Sequence, residues 1–338
     1  MSQTIPEADR EHYMRLLEDA AEPEAVDFAQ KLLARGVPAQ EVLLQLVAAS
    51  QAEVGRRWAE NRWSVAQEHA ATHLNEQVVA AVATTIRPAQ PSRGRIAVAC
   101  VDGEWHSLPA RLFAEVLRLH GWEVRFLGAS VPGPHLVSYL HSYDPLALAV
   151  SCSLPTRLAA AKRTIEAAQE AGVAVLAGGA GFGENGRWAR RLGADRVATD
   201  AVQAAQELAA WLPATPRSSP HPLLVGDDED VMVSKHKQSL VDSGMRLLGE
   251  RFPALARYSG HQRQATLEDL GHIADFLSAS LLVDDAEMFT SFIGWLCIIL
   301  ESRRVPISTV DVVLEAYQRE LYDYPRALRH LSAGRRQL

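Results

Sequence analysis

Residues Val98–Gly121 read VACVDGEWHSLPARLFAEVLRLHG. A short apolar run, Ile96–Val101, ends in a polar turn, and an amphipathic helix pattern follows it directly. A strand that feeds a helix in this way is half of a parallel crossover unit, and open α/β sheets place their ligands where such strands end. Glu104 and His106 sit in that turn. A single loop histidine is by itself an ordinary solvated residue, so any role for it depends on the spacing of what surrounds it.

Outward from this stretch, residues 95–212 alternate short apolar runs with helical patterns. Strands are expected at Ile96–Val101, Glu123–Leu127, Leu146–Ser151, Val173–Ala177 and Arg196–Ala198. Helices are expected at Leu108–His120, Pro134–Tyr143, Thr156–Ala171, Arg187–Leu192 and Ala201–Trp211. Five such units predict a doubly wound, flavodoxin-like (Rossmann-type) parallel sheet. Three loops then share one crevice at the carboxyl ends: Glu104-x-His106, Ser151-Cys152-Ser153-Leu154, and Gly178-Gly179-Ala180-Gly181. Paired glycines let backbone approach a large ligand, and a small hydroxyl residue leaves room for a buried ring while offering it one hydrogen bond. A histidine fixed by a nearby carboxylate can coordinate a transition metal through its other nitrogen. The dinucleotide fingerprint G-x-G-x-x-G is absent from the first loop.

Both flanks are helical in pattern. Upstream, His12–Asp19, Glu22–Arg35, Ala39–Glu60 and Ser64–Ile86 predict a four-helix bundle, broken at Gly36-Val37-Pro38 and Asn61–Trp63, with Ser64 as an N-cap and Trp63 in the core. Downstream, Val231–Phe252, Leu267–Leu282, Ala286–Arg303, Ile307–Tyr322 and Pro325–Leu331 predict an all-α, globin-like domain. Arg87–Gly94 and Pro213–Asp230 have linker composition, and the acidic end of the second reads as a solvated lead-in to a helix. The expected domains are therefore 1–90, 91–213 and 231–338, with a linker at 214–230. The 338 residues carry a net charge of −7 without a basic block or a recognition helix, which argues against direct nucleic-acid binding. Three cysteines (Cys100, Cys152, Cys297) in apolar surroundings fit a reducing compartment, the longest apolar run is too short for a membrane span, and a cytoplasmic protein is expected.

The set Glu104-x-His106, Ser151 and Gly178-Gly179 resembles the cobalamin-binding fold of methionine synthases, corrinoid carrier proteins and coenzyme-dependent mutases. That resemblance implies His106 as the lower axial ligand of cobalt, in a loop shared with Trp105, Ser107 and Leu108. It also implies a nucleotide tail passing Ser151, Ser153 and Leu154 towards Gly178, Gly179, Gly181 and Phe182. Pro109 stands where the family has glycine, and its bulk and missing N–H point to an altered loop path.

The fragment VGRRWAENRWSVAQEHAATH is similar to the helical cap of light-responsive adenosylcobalamin photoreceptors. By that similarity Trp58 shields the upper face of the corrin, Glu68 and His69 lie beside the adenosyl group, and His69 is a replacement upper ligand after photolysis. The last hundred residues resemble, in order and helix pattern, the globin-like bilin-binding domain of photocobilins. A non-covalent biliverdin would need an apolar slot, cations and a ring partner, for which His261, Arg263, His272, Trp295, Arg303 and Tyr317 are the candidates. A haem with His261 or His272 as ligand, or a domain that binds nothing, remains open. The reading that follows is a non-enzymatic light sensor that changes its homo-oligomeric state or engages a signalling partner; the alternative is a corrinoid carrier for methyl transfer.

Overall fold

A computed structural model describes residues 4–85, 93–211 and 227–338, so residues 86–92 and 212–226 of the two expected linkers lie outside the described residues. The chain separates into two compact units. One holds the described residues up to Ser153 and from Ala160 to Trp211; the other holds Leu154–Ala159 and the residues from Asp227 onward.

The first unit opens with a bundle: α1 (Glu7–Glu18), α2 (Glu22–Ala34), α3 (Ala39–Glu41), α4 (Ala49–Ala59) and α5 (Val65–Thr85). The expected single helix from Ala39 is continuous but widens to π-helical turns over Val42–Ala48, which bury Val42, Leu43, Leu46 and Val47. Gly36, at φ +88°, turns the chain between α2 and α3. Ser64 and Gln67 form reciprocal bonds at the start of α5, with Ser64 N–H donating to Gln67 Oε1 (2.9 Å) and Gln67 N–H to Ser64 Oγ (3.3 Å). Trp63 lies in the core with Tyr13, Leu17, Leu43 and Val78.

The sheet follows: β1 (Arg95–Cys100), α6 (Leu108–Leu119), β2 (Glu123–Gly128), α7 (Gly133–Tyr143), β3 (Ala147–Ser151), α8 (Leu158–Glu170), β4 (Ala174–Gly178), α9 (Arg187–Arg191), β5 (Arg196–Ala198) and α10 (Ala201–Trp211). All pairings are parallel in the order β2-β1-β3-β4-β5, the flavodoxin-like order with its reversal between β1 and β3. Cys100 pairs with Ser151, and Ser151 with Gly178, so the three loops named above leave the sheet side by side. Bundle and sheet share a seam, where Leu108 and Leu112 of α6 enter the core of the bundle.

The second unit is all-α: α11 (Glu229–Lys235), α12 (Lys237–Arg251), α13 (Gly260–Leu282), α14 (Ala286–Ser302), α15 (Ser308–Glu320) and α16 (Pro325–Arg335). Three expectations need correction. The helix predicted over Val231–Phe252 breaks at His236, whose backbone leaves helical angles. The helix predicted from Leu267 begins at Gly260, because Ser259 and Gln262 build a capping box there. The acidic lead-in is not simply solvated. Glu229 is buried and accepts the backbone N–H groups of Arg326 (3.1 Å) and Ala327 (2.8 Å), the otherwise unsatisfied donors at the start of α16. Arg326 in turn pairs with Asp227 and Asp284. No helix among the described residues is long and apolar enough to cross a membrane.

Candidate functional site

At the end of β1 the chain turns sharply through Asp102 and Gly103 (φ +75°) and buries Glu104 completely. One oxygen of that carboxylate accepts His106 Nδ1–H at 2.6 Å and His106 backbone N–H at 2.9 Å; the other accepts Ser153 N–H at 2.7 Å. Burial alone would push the Glu104 pKa up, yet the hydrogen bonds from His106 and Ser153 and the nearby imidazole charge hold it below the ordinary carboxylate value. A carboxylate only accepts, so Nδ1 carries the proton and Nε2 the lone pair. The imidazole itself is exposed. It offers one nitrogen, which suits a metal that arrives with its own equatorial ligands. The β2–α7 loop braces this turn: Ser130 N–H donates to Glu104 O (2.9 Å), and Ser130 Oγ accepts Gly103 N–H (3.0 Å). Sequence reasoning missed Ser130, whose left-handed backbone (φ +47°) carries no local signature in a serine.

Pro109 is accommodated by the helix that follows the loop. It stands in the first turn of α6, where a backbone N–H has no helical partner, and proline is accepted there without loss. It also lines a cavity of about 170 Å³ between the sheet and helices α6 and α10. Val98, Ala149, Ser151, Leu176, Gly178, Gly179 and Ala198 form the sheet wall, and Ala110, Phe113 and Ala204 the helix wall. An apolar hole of roughly 150 Å³ takes a benzene ring, so this slot has the size and lining for a planar heterocycle, with the Ser151 hydroxyl to hold it. Gly179 (φ +112°) is required twice over. It lines the slot, and any side chain there would run into the Cys152 carbonyl, which also accepts Gly181 N–H at 2.9 Å. Of the other expected tail contacts, Phe182 is buried in the protein, Ser153 acts through its backbone and Leu154 is exposed; of the residues expected beside His106 in its loop, Leu108 is buried and Trp105 exposed.

On the bundle, Trp58 is half-buried at the end of α4. Glu68 and His69 lie in the first turns of α5, with Glu68 Oε2 2.7 Å from His69 Nδ1. Further along α5, Glu76 accepts a hydrogen bond from Ser107 Oγ at 3.4 Å, so this helix meets the loop that carries His106. Residues 69 and 76 are seven apart and therefore share a helix face, about 10.5 Å apart along it.

The bilin candidates do not converge. His261 and Arg303 line an apolar cavity of about 380 Å³ with Phe252, Tyr258, Leu296 and Leu300. Arg263 and Trp295 lie off that cavity, and His272 borders a separate groove with Lys235 and Lys237. Tyr317 is fully buried and donates to Leu270 O at 2.7 Å, which makes it a core residue. Asp269, which the sequence did not single out, lines the cavity, and burial pushes its pKa up. Cys297 lies off the cavity, with its thiol pKa raised by burial.

The fold, the Glu104–His106 pair and the slot beneath the sheet's carboxyl edge define a cobalamin-binding module. Comparison with known proteins agrees: residues 94–209 match a B12 binding domain, and residues 9–83 match a second B12 binding domain model. The chain is 26% identical over 195 residues to the trimethylamine corrinoid protein of Methanosarcina barkeri, covering 56% of this chain and 89% of that one. It is 28% identical over 180 residues to the dimethylamine corrinoid protein of the same organism, covering 50% and 83%. The structure of the Methanosarcina barkeri monomethylamine corrinoid protein superposes with a TM-score of 0.53 at 18% identity, over 59% of this chain and 96% of that one, a likeness of fold. Neither B12 binding model extends past residue 209.

Proposed function

We propose that the chain seats a cobalamin between the bundle and the sheet, with His106 Nε2 as the lower ligand and the nucleotide base in the slot beside Ser151. The observation that carries this is the buried Glu104 carboxylate, which fixes the imidazole and the β3 loop together. A bound cobalamin would supply a cobalt centre able to take up and give away an alkyl group. The chain's own residues orient the cofactor: Glu104 sets the tautomer and tilt of His106, Ser130 braces the turn, and the slot excludes water from the base.

Between the two uses of such a cofactor, the relatives favour a carrier that passes a methyl group between partner enzymes. Those relatives are corrinoid proteins of methylamines, and the match covers most of their length. The second reading, a light sensor with adenosylcobalamin and a biliverdin in the second unit, is favoured by different observations. Trp58, Glu68 and His69 stand at the spacing of a photoreceptor cap, on a helix that meets the His106 loop. The second unit also adds an apolar cavity with Arg303, His261 and Asp269 at its wall, chemistry that fits a tetrapyrrole's propionates and pyrrole nitrogens. One experiment separates the readings. The full chain is loaded with adenosylcobalamin in the dark and sized by light scattering before and after green light. A mass unchanged by light supports the carrier, whether or not the cofactor bleaches; bleaching with a change in mass supports the sensor and removes the carrier as the primary use. Far-red absorbance after co-production with biliverdin would support the pigment, and its absence would count against it.

A further inference from the structure

The bundle contains a hydrogen-bond chain that no part of the cobalamin seat requires. Tyr13, fully buried on α1, donates to Asn75 Oδ1 at 2.8 Å, and Ser50 Oγ reaches the same oxygen at 3.4 Å. Asn75 is also fully buried, and its Nδ2 donates to Gln51 Oε1 at 2.8 Å. Gln51 Nε2 donates to Thr72 Oγ1 at 2.7 Å, and Thr72 donates to Glu68 Oε1 at 2.9 Å. Every link from Tyr13 points the same way, and the series ends on a carboxylate. Donors aligned in sequence polarise one another, and the final bond is charge-assisted.

The other oxygen of Glu68 lies 2.7 Å from His69 Nδ1, and that nitrogen also reaches the Val65 carbonyl at 2.9 Å. A carbonyl cannot donate, so Nδ1 holds the proton and Nε2 the lone pair, the tautomer that His106 adopts on the sheet. Unlike Glu104, Glu68 is not held by burial; its side chain retains a quarter of its exposure, and His69 nearly three quarters. What fixes it is the relay behind it.

We propose that Thr72, Gln51 and Asn75 are positioning residues that hold Glu68, and through it His69 Nε2, in place as an imidazole ligand for the exchangeable upper site of a bound cobalamin. This rests on the seat proposed above, and on α5 presenting His69 on the face that meets the His106 loop at Glu76. Because the relay ties α1, α4 and α5 together, any displacement of Glu68 is felt in the core of the bundle.

The test loads the full chain with hydroxocobalamin, whose upper position exchanges water, and reads by absorption whether water or a second imidazole occupies it. The chain as it stands is expected to give the two-imidazole spectrum, and His69→Ala the water spectrum. Thr72→Val should lower the equilibrium constant for the second imidazole by about tenfold, the size of one lost charge-assisted bond. Thr72→Ser should restore it, and Gln51→Leu should shift it the same way by less. The lower-face signature of His106 shows in each variant that the protein is folded and loaded. A wild-type spectrum with water on cobalt, a Thr72→Val variant equal to wild type, or a Thr72→Ser variant no better than Val each overturns the proposal while the seat stands. A chain that retains no cobalamin through gel filtration overturns the seat and the proposal together.

Discussion

Glu104 and Glu68 each lie within hydrogen-bonding distance of a histidine Nδ1, at 2.6 and 2.7 Å, but the two pairs are secured by different means. On the sheet the carboxylate is completely buried and takes two further backbone donors from its own loop and the β3 loop. On the bundle the carboxylate is partly solvated, and a relay of neutral side chains holds it from behind. The difference is one of permanence. A buried anion with fully committed oxygens cannot reorient without leaving donors unsatisfied, whereas an exposed pair exchanges with water at small cost. The sheet pair is therefore the more rigid of the two, and the bundle pair the more readily displaced.

The strongest way to break this contrast is His106→Ala. Loss of the lower ligand should weaken cobalamin binding by about a hundredfold or more, measured by equilibrium titration, and remove the imidazole signature from the spectrum; an unchanged affinity would make the two pairs equivalent. Next, Glu104→Gln should cost about tenfold to a hundredfold in affinity, because an amide nitrogen would be forced against either Ser153 N–H or His106. Glu68→Gln should lower the equilibrium constant for the second imidazole by about tenfold, at least as much as Thr72→Val, since Thr72 acts through it.

Acid sharpens the comparison through a third imidazole. Glu104 has its native pKa lowered, so its contribution to stability is present above its unfolded pKa and is lost as pH falls through the native value, below the ordinary carboxylate range. His330, buried in the second unit against Ser280 Oγ at 2.8 Å, has its pKa lowered to about 4 by burial. The unfolded chain therefore takes up a proton that the native state refuses, and the second unit should lose stability as pH falls from about 6.5 to about 4. Calorimetry at stepped pH should show the second unit weakening first, and His330→Gln should flatten its profile. The smallest effect is expected from Pro109→Gly, the residue the family carries. It should lower thermal stability by about 0.5–1 kcal/mol through a looser unfolded chain, with the Glu104–His106 geometry, read as cobalamin affinity, nearly unchanged.

Much of this was legible in the chain itself. The strands fell within a residue or two of expectation because β1, β3 and β4 are buried apolar runs bounded by turn residues, and the alternation of strands with helices admits little besides a parallel sheet. Glu104, His106, Ser151 and Gly178 were visible because three adjacent carboxyl ends bring sequence-distant loops together by topology alone. Ser130, Asp269, Glu229 and the relay behind Glu68 were not. Each owes its significance to a partner on another element, and nothing local distinguishes Asp269 from Glu268 beside it, or Thr72 from any other helical threonine.

The amino-acid sequence thus determined the alternation of strands and helices, the parallel sheet and the strand-end loop that carries His106, since periodicity and strand-end position are local properties carried along one chain. Only the tertiary structure decided that Pro109 sits in the first turn of α6, that Tyr317 is core, that Glu229 caps a helix nearly a hundred residues away, and that the carboxylate on the bundle is held from within. Those outcomes depend on which unsatisfied donor meets which acceptor, and that matching exists only once the chain is packed.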